Sequence, residues 1–484
     1  MTVVLRIQFP VGHGGLHLTK LLNPEEARRH VNIVYDCGTR STIASLQYSI
    51  AKMYKCVSAS ASNGIHIDLF VLSHLHRDHV NGFECLVAKA KSGNGRGLTI
   101  DRLVIPHYDD EDKLAVLAQQ AHEGASASEL AVLDLVLREP VTWFGERGVR
   151  QILAVAPPDR PPDPPLSSVP PLPDDRPPEG YRTVPWPEMR ERPREPGPEV
   201  PERPTEPYRP ATEVYVPAAT PSETSAEPRY VILPPRSVIR VSRIFRCSCA
   251  AESRVPFVVI PHCLRSLPGR GGHRRRCAFV ERVRAVLEPL RQNGRLVFGA
   301  PLQARRTIDD LRSAFAAYTG TSQTTTNRLS VLAYIGEDKV APRHQFRSDV
   351  CTGRYTCSCL LTFFYETCTR RLCERWRPLL FLGAEHARAW LMTGDADLRR
   401  DREWRKVFGA RLAFPLVLQA PHHGADPNFP KRIPRGTRAV FATCSERDPH
   451  HPGSRVVARL GAGRRPLLGV TTSPDTALVS LGWL

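Results

Sequence analysis

The residues best able to do chemistry are Ser73-His74-Leu75-His76-Arg77-Asp78-His79, four ligand-type side chains within six residues directly after the apolar run Asp68–Leu72. Imidazole nitrogen and carboxylate oxygen suit Zn²⁺ and also Mn²⁺. A turn there can aim His74 and His76 at one cation while Asp78 and His79 reach a second, about 3.5–4 Å away as in two-metal sites. Two later clusters have the same layout. Ala389-Trp390-Leu391-Met392 ends in Thr393-Gly394-Asp395, and Leu416-Val417-Leu418 leads into Pro421-His422-His423-Gly424-Ala425. An aspartate such as Asp395 can bridge two ions through separate oxygens. Three strand ends carrying such residues predict one shared edge and one shared site.

The elements that must position these residues are legible on both sides of a proline-rich stretch. Val3–Phe9, Leu16–Leu18, Asn32–Tyr35, Asp68–Leu72 and Leu103–Ile105 read as strands, and Glu111–Arg138 as helix interrupted near Gly124. Beyond the stretch, Phe257–Ile260, Leu329–Ile335, Ala389–Met392 and Leu416–Leu418 read as strands, Phe279–Arg291 and Ile308–Tyr318 as helices. Between Pro157 and Tyr230, 23 of 74 residues are proline, a composition that predicts a disordered insert without ladder or helix hydrogen bonds. The expected organisation is one catalytic domain in two halves, 1–156 and 231–484, around the insert 157–230. Its second half carries helical and Cys/Arg-rich insertions.

The chain has 484 residues, 41% hydrophobic and 24% charged, the balance of a globular protein. No apolar run approaches the ~20 residues of a membrane span, and Met1–Pro10 lacks the order of a secretory leader. Thirteen cysteines, an odd count, favour reduced thiols. Together these predict a cytoplasmic protein with no membrane partner. The net charge is +18. The insert is itself acidic, so the positive charge belongs to the folded part and favours polyanionic partners, although arginine-rich coding bias explains part of it equally well.

The order His74-x-His76-x-Asp78-His79, then Asp395, then His422-His423-Gly424 resembles the metallo-β-lactamase-fold hydrolases. It is similar in particular to the branch containing the soluble nuclease domain of the competence DNA-uptake protein ComEC. Val11-Gly12-His13-Gly14-Gly15 is similar to that branch's opening Val-Gly-Gln-Gly-Asp turn, with His for Gln and Gly for Asp. Tyr35-Asp36-Cys37-Gly38 resembles its Asp-x-Gly turn, Asn327-Arg328-Leu329-Ser330 its Asn-x-x-Ser strand entry, and His450-His451-Pro452 a His-Pro element. The likeness covers roughly 3–110 and 320–484.

The resemblance implies an α/β (α+β) fold, a four-layer αββα sandwich holding two divalent ions, Zn²⁺ or Mn²⁺. Their ligands would be His74, His76, Asp78, His79, Asp395 and either His422 or His423, with His423 favoured by its neighbouring glycine. Asp78, Asp395 and His423 would serve catalysis around a bridging hydroxide. Asp36, Asn327 and His451 would stand behind the ligands. The third histidine that many such enzymes place on the first metal is replaced by Thr324-Thr325-Thr326-Asn327, which leaves that position more open. His107 reads as a surface or capped histidine more readily than as part of the site wall.

The expected activity is phosphodiester hydrolysis, most simply by a nuclease. Arg274, Arg275, Arg276, Arg399, Arg400 and Arg405 are candidate nucleic-acid contacts, and Trp404 or Phe364 a base-stacking aromatic. Competing readings are a hydrolase of nucleotides or small phosphoesters, and a non-catalytic metal-bound component of a multi-protein system, for instance in defence. The insert offers a docking segment for a protein partner. Cys351, Cys357, Cys359, Cys368 and Cys373 invite a structural zinc, but lack the paired Cys-x-x-Cys spacing of zinc ribbons.

Overall fold

The computed structural model describes residues 3–22, 30–57, 64–92, 97–158, 213–216, 229–241, 244–245, 253–254, 257–263, 272–319, 330–337, 380–382, 389–399, 403–446, 448, 450–463 and 465–483. They build a mixed α/β structure on two large mixed sheets. With strands numbered along the chain, the first sheet has the order β16 (Leu380–Leu382), β21 (Leu478–Trp483), β1 (Val3–Gln8), β2 (Gly14–Leu22), β3 (His30–Thr39), β4 (Ile65–Val71), β5 (Leu98–Pro106), β6 (Val149–Val155), β8 (Arg229–Leu233). The second has the order β20 (Leu467–Val470), β19 (Thr437–Thr443), β18 (Leu416–Gln419), β17 (Ala389–Met392), β15 (Val331–Glu337), β12 (Phe257–Cys263), β9 (Val238–Val241), β7 (Glu213–Val216). Two short hairpins, β10 (Ile244–Phe245) with β11 (Ser253–Arg254) and β13 (Arg291–Gln292) with β14 (Arg295–Leu296), stand apart.

Burial follows the period-2 alternation of strands. In β4, Leu69 and Val71 look into a core shared with Val259, Ile335, Trp390 and Val417 of the other sheet. Phe70 looks the opposite way, towards the helices. Those helices are α1 (Ile43–Val57), α2 (Arg77–Val80), α3 (Phe83–Ser92), α4 (Asp110–His122), α5 (Ala127–Arg138), α6 (Pro140–Gly145), α7 (Gly272–Leu287) and α8 (Pro301–Thr319). A further core buries Trp404 and Phe408 of α9 (Glu403–Phe408) and Val456 and Leu460 of α10 (Ser454–Ala462) against the second sheet. A strand buried on both faces reads as a continuous apolar run, which is why β4, β17 and β18 stand out in the sequence.

Several expectations change. The stretch 157–230 is not structureless throughout: β7 pairs in parallel with β9, and β8 begins at Arg229 and extends the first sheet beside β6. The Asp-x-Gly turn is a bulge inside β3. Leu16 faces Cys37 and His17 faces Tyr35, so Asp36 is the extra residue, with φ at 56°. Trp404 is fully buried and presents no stacking surface. Phe364 and the cysteines of 351–373 lie outside the described residues.

Candidate metal centre

The site lies where strand ends of the two sheets meet. β4 brings Ser73 and its histidines from the first sheet; the parallel neighbours β17 and β18 bring Asp395 and His423 from the second. The edge expected from sequence is therefore composed from both sheets. Val331 N donates to Ser73 O at 2.6 Å and Tyr35 Oη to Val331 O at 2.8 Å, which joins the sheets beside it.

Two groups of ligand atoms form. Asp78, His79, Asp395 and His423 each offer an atom within 4.8 Å of the others, and so do His74, His76 and Asp78. The first group is the tighter. His423 Nε2 is 3.3 Å from Asp78 Oδ2, and His79 Nε2 is 3.4 Å from Asp395 Oδ1. His74 Nε2 is 3.6 Å from Asp395 Oδ2, too far for a hydrogen bond. Nε2 of His74 and His79, Nδ1 of His76 and Oδ1 of Asp78 are buried and make no hydrogen bond among the described residues. Native proteins rarely leave so many buried polar atoms unsatisfied in one place, and cations held by the two groups would satisfy them.

The ring orientations are fixed from behind. Asp36 accepts from Ser73 N at 2.7 Å and Ser73 Oγ at 2.9 Å, and its Oδ2 lies 2.7 Å from His79 Nδ1. Ser73 Oγ also lies 2.9 Å from His74 Nδ1. His423 Nδ1 donates to Thr443 O at 2.8 Å, which turns Nε2 towards Asp78. The turn carrying Asp395 is held by Gln419 Oε1, which accepts from Thr393 N at 2.8 Å and Gly394 N at 3.1 Å.

Electrostatics suit cation binding. Burial, then the neighbouring rings of His79 and His76, push the pKa of His74 down to about 3 and keep it neutral. Burial alone would raise the carboxyl pKa of Asp78, but His79, His423 and Arg40 overturn that and hold it well below the usual range. Asp395 is likewise held low against its burial by His422, His79 and His74. Burial opposes a proton on His79; Asp36, Asp78 and Asp395 together outweigh it and raise its pKa well above 6.5. A cation there would compete with the Nε2 proton while Nδ1–H keeps Asp36.

The other sequence candidates fall as follows. His422 sits beside Asp395, its N donating to Gly394 O at 2.9 Å, but it joins neither group of converging atoms. The ring of His451 lies near that of His423, with centroids 6.2 Å apart. His107 is half-buried and hydrogen-bonded to Val155 O through its backbone. Arg276 is engaged by Glu111 at 2.7 Å and Asp112 at 3.4 Å on α4. Arg275 is exposed on α7, and Arg405 lies over the Trp404 ring at 4.6 Å. Asn327, Arg400 and the side chain of Arg274 lie outside the described residues.

Sequence reasoning missed Arg40, whose Nε is 3.4 Å from Asp78 Oδ2 and which also pairs with Glu123. Arg40 and Glu123 border a cavity of 560 Å³ with apolar walls including Leu133 and Trp143. Arg399, Lys431, Arg455 and Arg459 line a second cleft, of 280 Å³, together with Asp426 and Phe429. Only Arg399 in that cleft was singled out from sequence; the others are scattered singly and carry no local signal. Comparison of the chain with protein-family models, curated proteins and solved structures finds no match in any of the three.

Proposed function

We propose that the protein is a two-metal hydrolase of the metallo-β-lactamase type, an αββα sandwich that cleaves phosphodiesters, with nucleic acid as the substrate class. The observation carrying this reading is the convergence of Asp78, His79, Asp395 and His423 from three separate segments, beside His74 and His76, with buried ligand atoms left unsatisfied. His74 and His76, with Asp78 or Asp395, would hold one divalent cation; Asp78, His79, Asp395 and His423 would hold the other. Bound there, such a pair supplies an activated water and neutralises charge on a phosphoryl oxygen.

The chain's own groups do the rest. Asp36, Ser73 and Thr443 fix the imidazoles. Arg40 sets the carboxylate of Asp78. The cleft of Arg399, Lys431, Arg455 and Arg459 adjoins the ligand loops: Arg399 is four residues past Asp395, and Arg455 is four past His451. Four cations against the one carboxylate of Asp426 suit a phosphate backbone passing the metals. Asp426 is itself occupied, accepting from Val456 N at 2.9 Å at the start of α10.

Purified protein incubated with Mn²⁺ or Zn²⁺ and labelled single- and double-stranded oligonucleotides should cleave them, and His79→Ala should lose more than the ~10–100-fold that loss of an outer-shell partner costs. Cleavage no greater than that of His79→Ala would sink the reading. The 560 Å³ cavity beside Arg40 favours one alternative, a small phosphoester with an apolar group seated against Leu133 and Trp143. Hydrolysis of nucleoside phosphodiesters but not of oligonucleotides would select it.

A further inference from the structure

A third cluster of ligand-type side chains stands beside the metal centre and shares no residue with it. His13 comes from the loop between β1 and β2, Asp448 from the loop after β19, and His451 from the segment leading to α10. Their ligand atoms lie within 4.8 Å of one another. His13 Nε2 is 2.7 Å and His451 Nδ1 is 2.8 Å from Asp448 Oδ2. We propose that His13, Asp448 and His451 form a binding site for a third divalent transition-metal cation on the solvent-facing rim of the centre.

Two imidazoles and one carboxylate are a donor set that suits Zn²⁺ or Mn²⁺ and leaves coordination positions for water or substrate. Ligand bonds of about 2.0–2.1 Å place tetrahedral ligand atoms about 3.3–3.4 Å apart. The two hydrogen-bonded contacts to Oδ2 need open by only about half an ångström to reach that spacing.

The three groups are held from behind. Asp448 Oδ1 accepts from His450 N at 2.7 Å, which orients the carboxylate. The backbone of His13 is pinned by Ser41 Oγ at 3.0 Å, and its carbonyl accepts from Arg40 N at 2.7 Å. His451 is followed by Pro452, which packs so closely on Gly424 that a Cβ there would come within 2.9 Å of the ring.

Position and exposure separate this site from its neighbour. Side-chain exposure is 21% for His13, 12% for Asp448 and 24% for His451, against 7% or less for His74, His76, Asp78, His79, Asp395 and His423. An ion can therefore reach the rim directly from solvent. The His13 ring meets that of His423 edge-on, with centroids 4.8 Å apart, so the rim borders the centre of the preceding reading. A cation held there would neutralise a second phosphate oxygen or the departing oxygen. The ion itself does not depend on that reading.

The test is metal content per chain, by elemental analysis after equilibration with excess Zn²⁺ and removal of free ion. His13→Gln, Asp448→Asn and their double variant should each hold one equivalent fewer than the wild type, with unchanged near-UV circular dichroism. Loss of one and the same equivalent in all three marks a single ion. Anomalous scattering from wild-type crystals grown with Zn²⁺ should place a peak among the three side chains. Undiminished metal content in the variants, or anomalous peaks only among His74, Asp78, Asp395 and His423, would overturn the site and leave the two-metal reading intact. Wild-type protein whose one ion disappears in His13→Gln would retain the site and overturn the two-metal reading.

Discussion

Asp36 touches no converging ligand atom but governs two histidines through its contacts with Ser73 and His79. Asp36→Asn keeps the size and removes the charge that orients His79; metal affinity should fall by about 10–100-fold, read by competition with a chromophoric chelator. A second residue-scale prediction lies away from the centre, at His66 in β4. Burial opposes its protonation, but Asp101 at 3.0 Å and Asp68 at 3.7 Å prevail and raise its pKa above 6.5. The stability it contributes is present below the unfolded value near 6.5 and is lost as pH rises through the higher folded one. His66→Gln should flatten that part of the stability-versus-pH curve in urea denaturation, and an unchanged curve would remove this role. The residues that converge in the candidate centre were readable because each cluster directly follows an apolar strand. His13 and Asp448 were not, since only tertiary contact brings them together. The choice between His422 and His423 turns on the hydrogen bond from His423 Nδ1 to Thr443 O, which no spacing encodes.

At the level of elements, the site depends on how closely β3 and the β17 turn approach the histidine motif. A Cβ on Gly38 would lie 2.5–2.6 Å from the backbone of Asp78 and His79. Gly38→Ala must push α2 away from β3, at a cost of about 1–3 kcal/mol in unfolding free energy together with weaker metal retention. Wild-type stability and metal affinity in that variant would show the approach to be unnecessary. Gly394 has φ at 49°, and a Cβ there would lie 2.7 Å from Ser73 Cβ, so it is constrained twice. The strands nearest the site were visible in the sequence, for they are apolar on both faces. The sheet margins were not: β7 and β8 arise within or at the end of a proline-rich stretch, and β9 and β19–β21 are short runs without clear alternation. The helices α7 and α8 begin earlier than expected, at Gly272 and Pro301, because polar first turns hide the boundary.

For the whole molecule, cations shared between the two sheets would tie folding to metal. Chelation should lower the melting temperature: metal at 100 times its Kd stabilises the folded state by about 2.7 kcal/mol, and the drop should be smaller in His79→Ala. Oligonucleotide binding by an Arg455→Ser/Arg459→Ser variant should weaken uniformly across sequences, with the salt-dependence slope reduced by about 2. Among the described residues no helix is long and apolar enough to cross a membrane. The arrangement also dictates a timetable for biogenesis. Asp78 and His423, 3.3 Å apart in the folded chain, are separated by 345 residues of synthesis. At about 5–20 residues per second, the histidine motif leaves the ribosome roughly 17–70 s before its last partner is made. On the proposed reading, the nascent chain carries only His74, His76, Asp78 and His79 of the ligand set throughout that interval, and metal loading would follow the synthesis of His423.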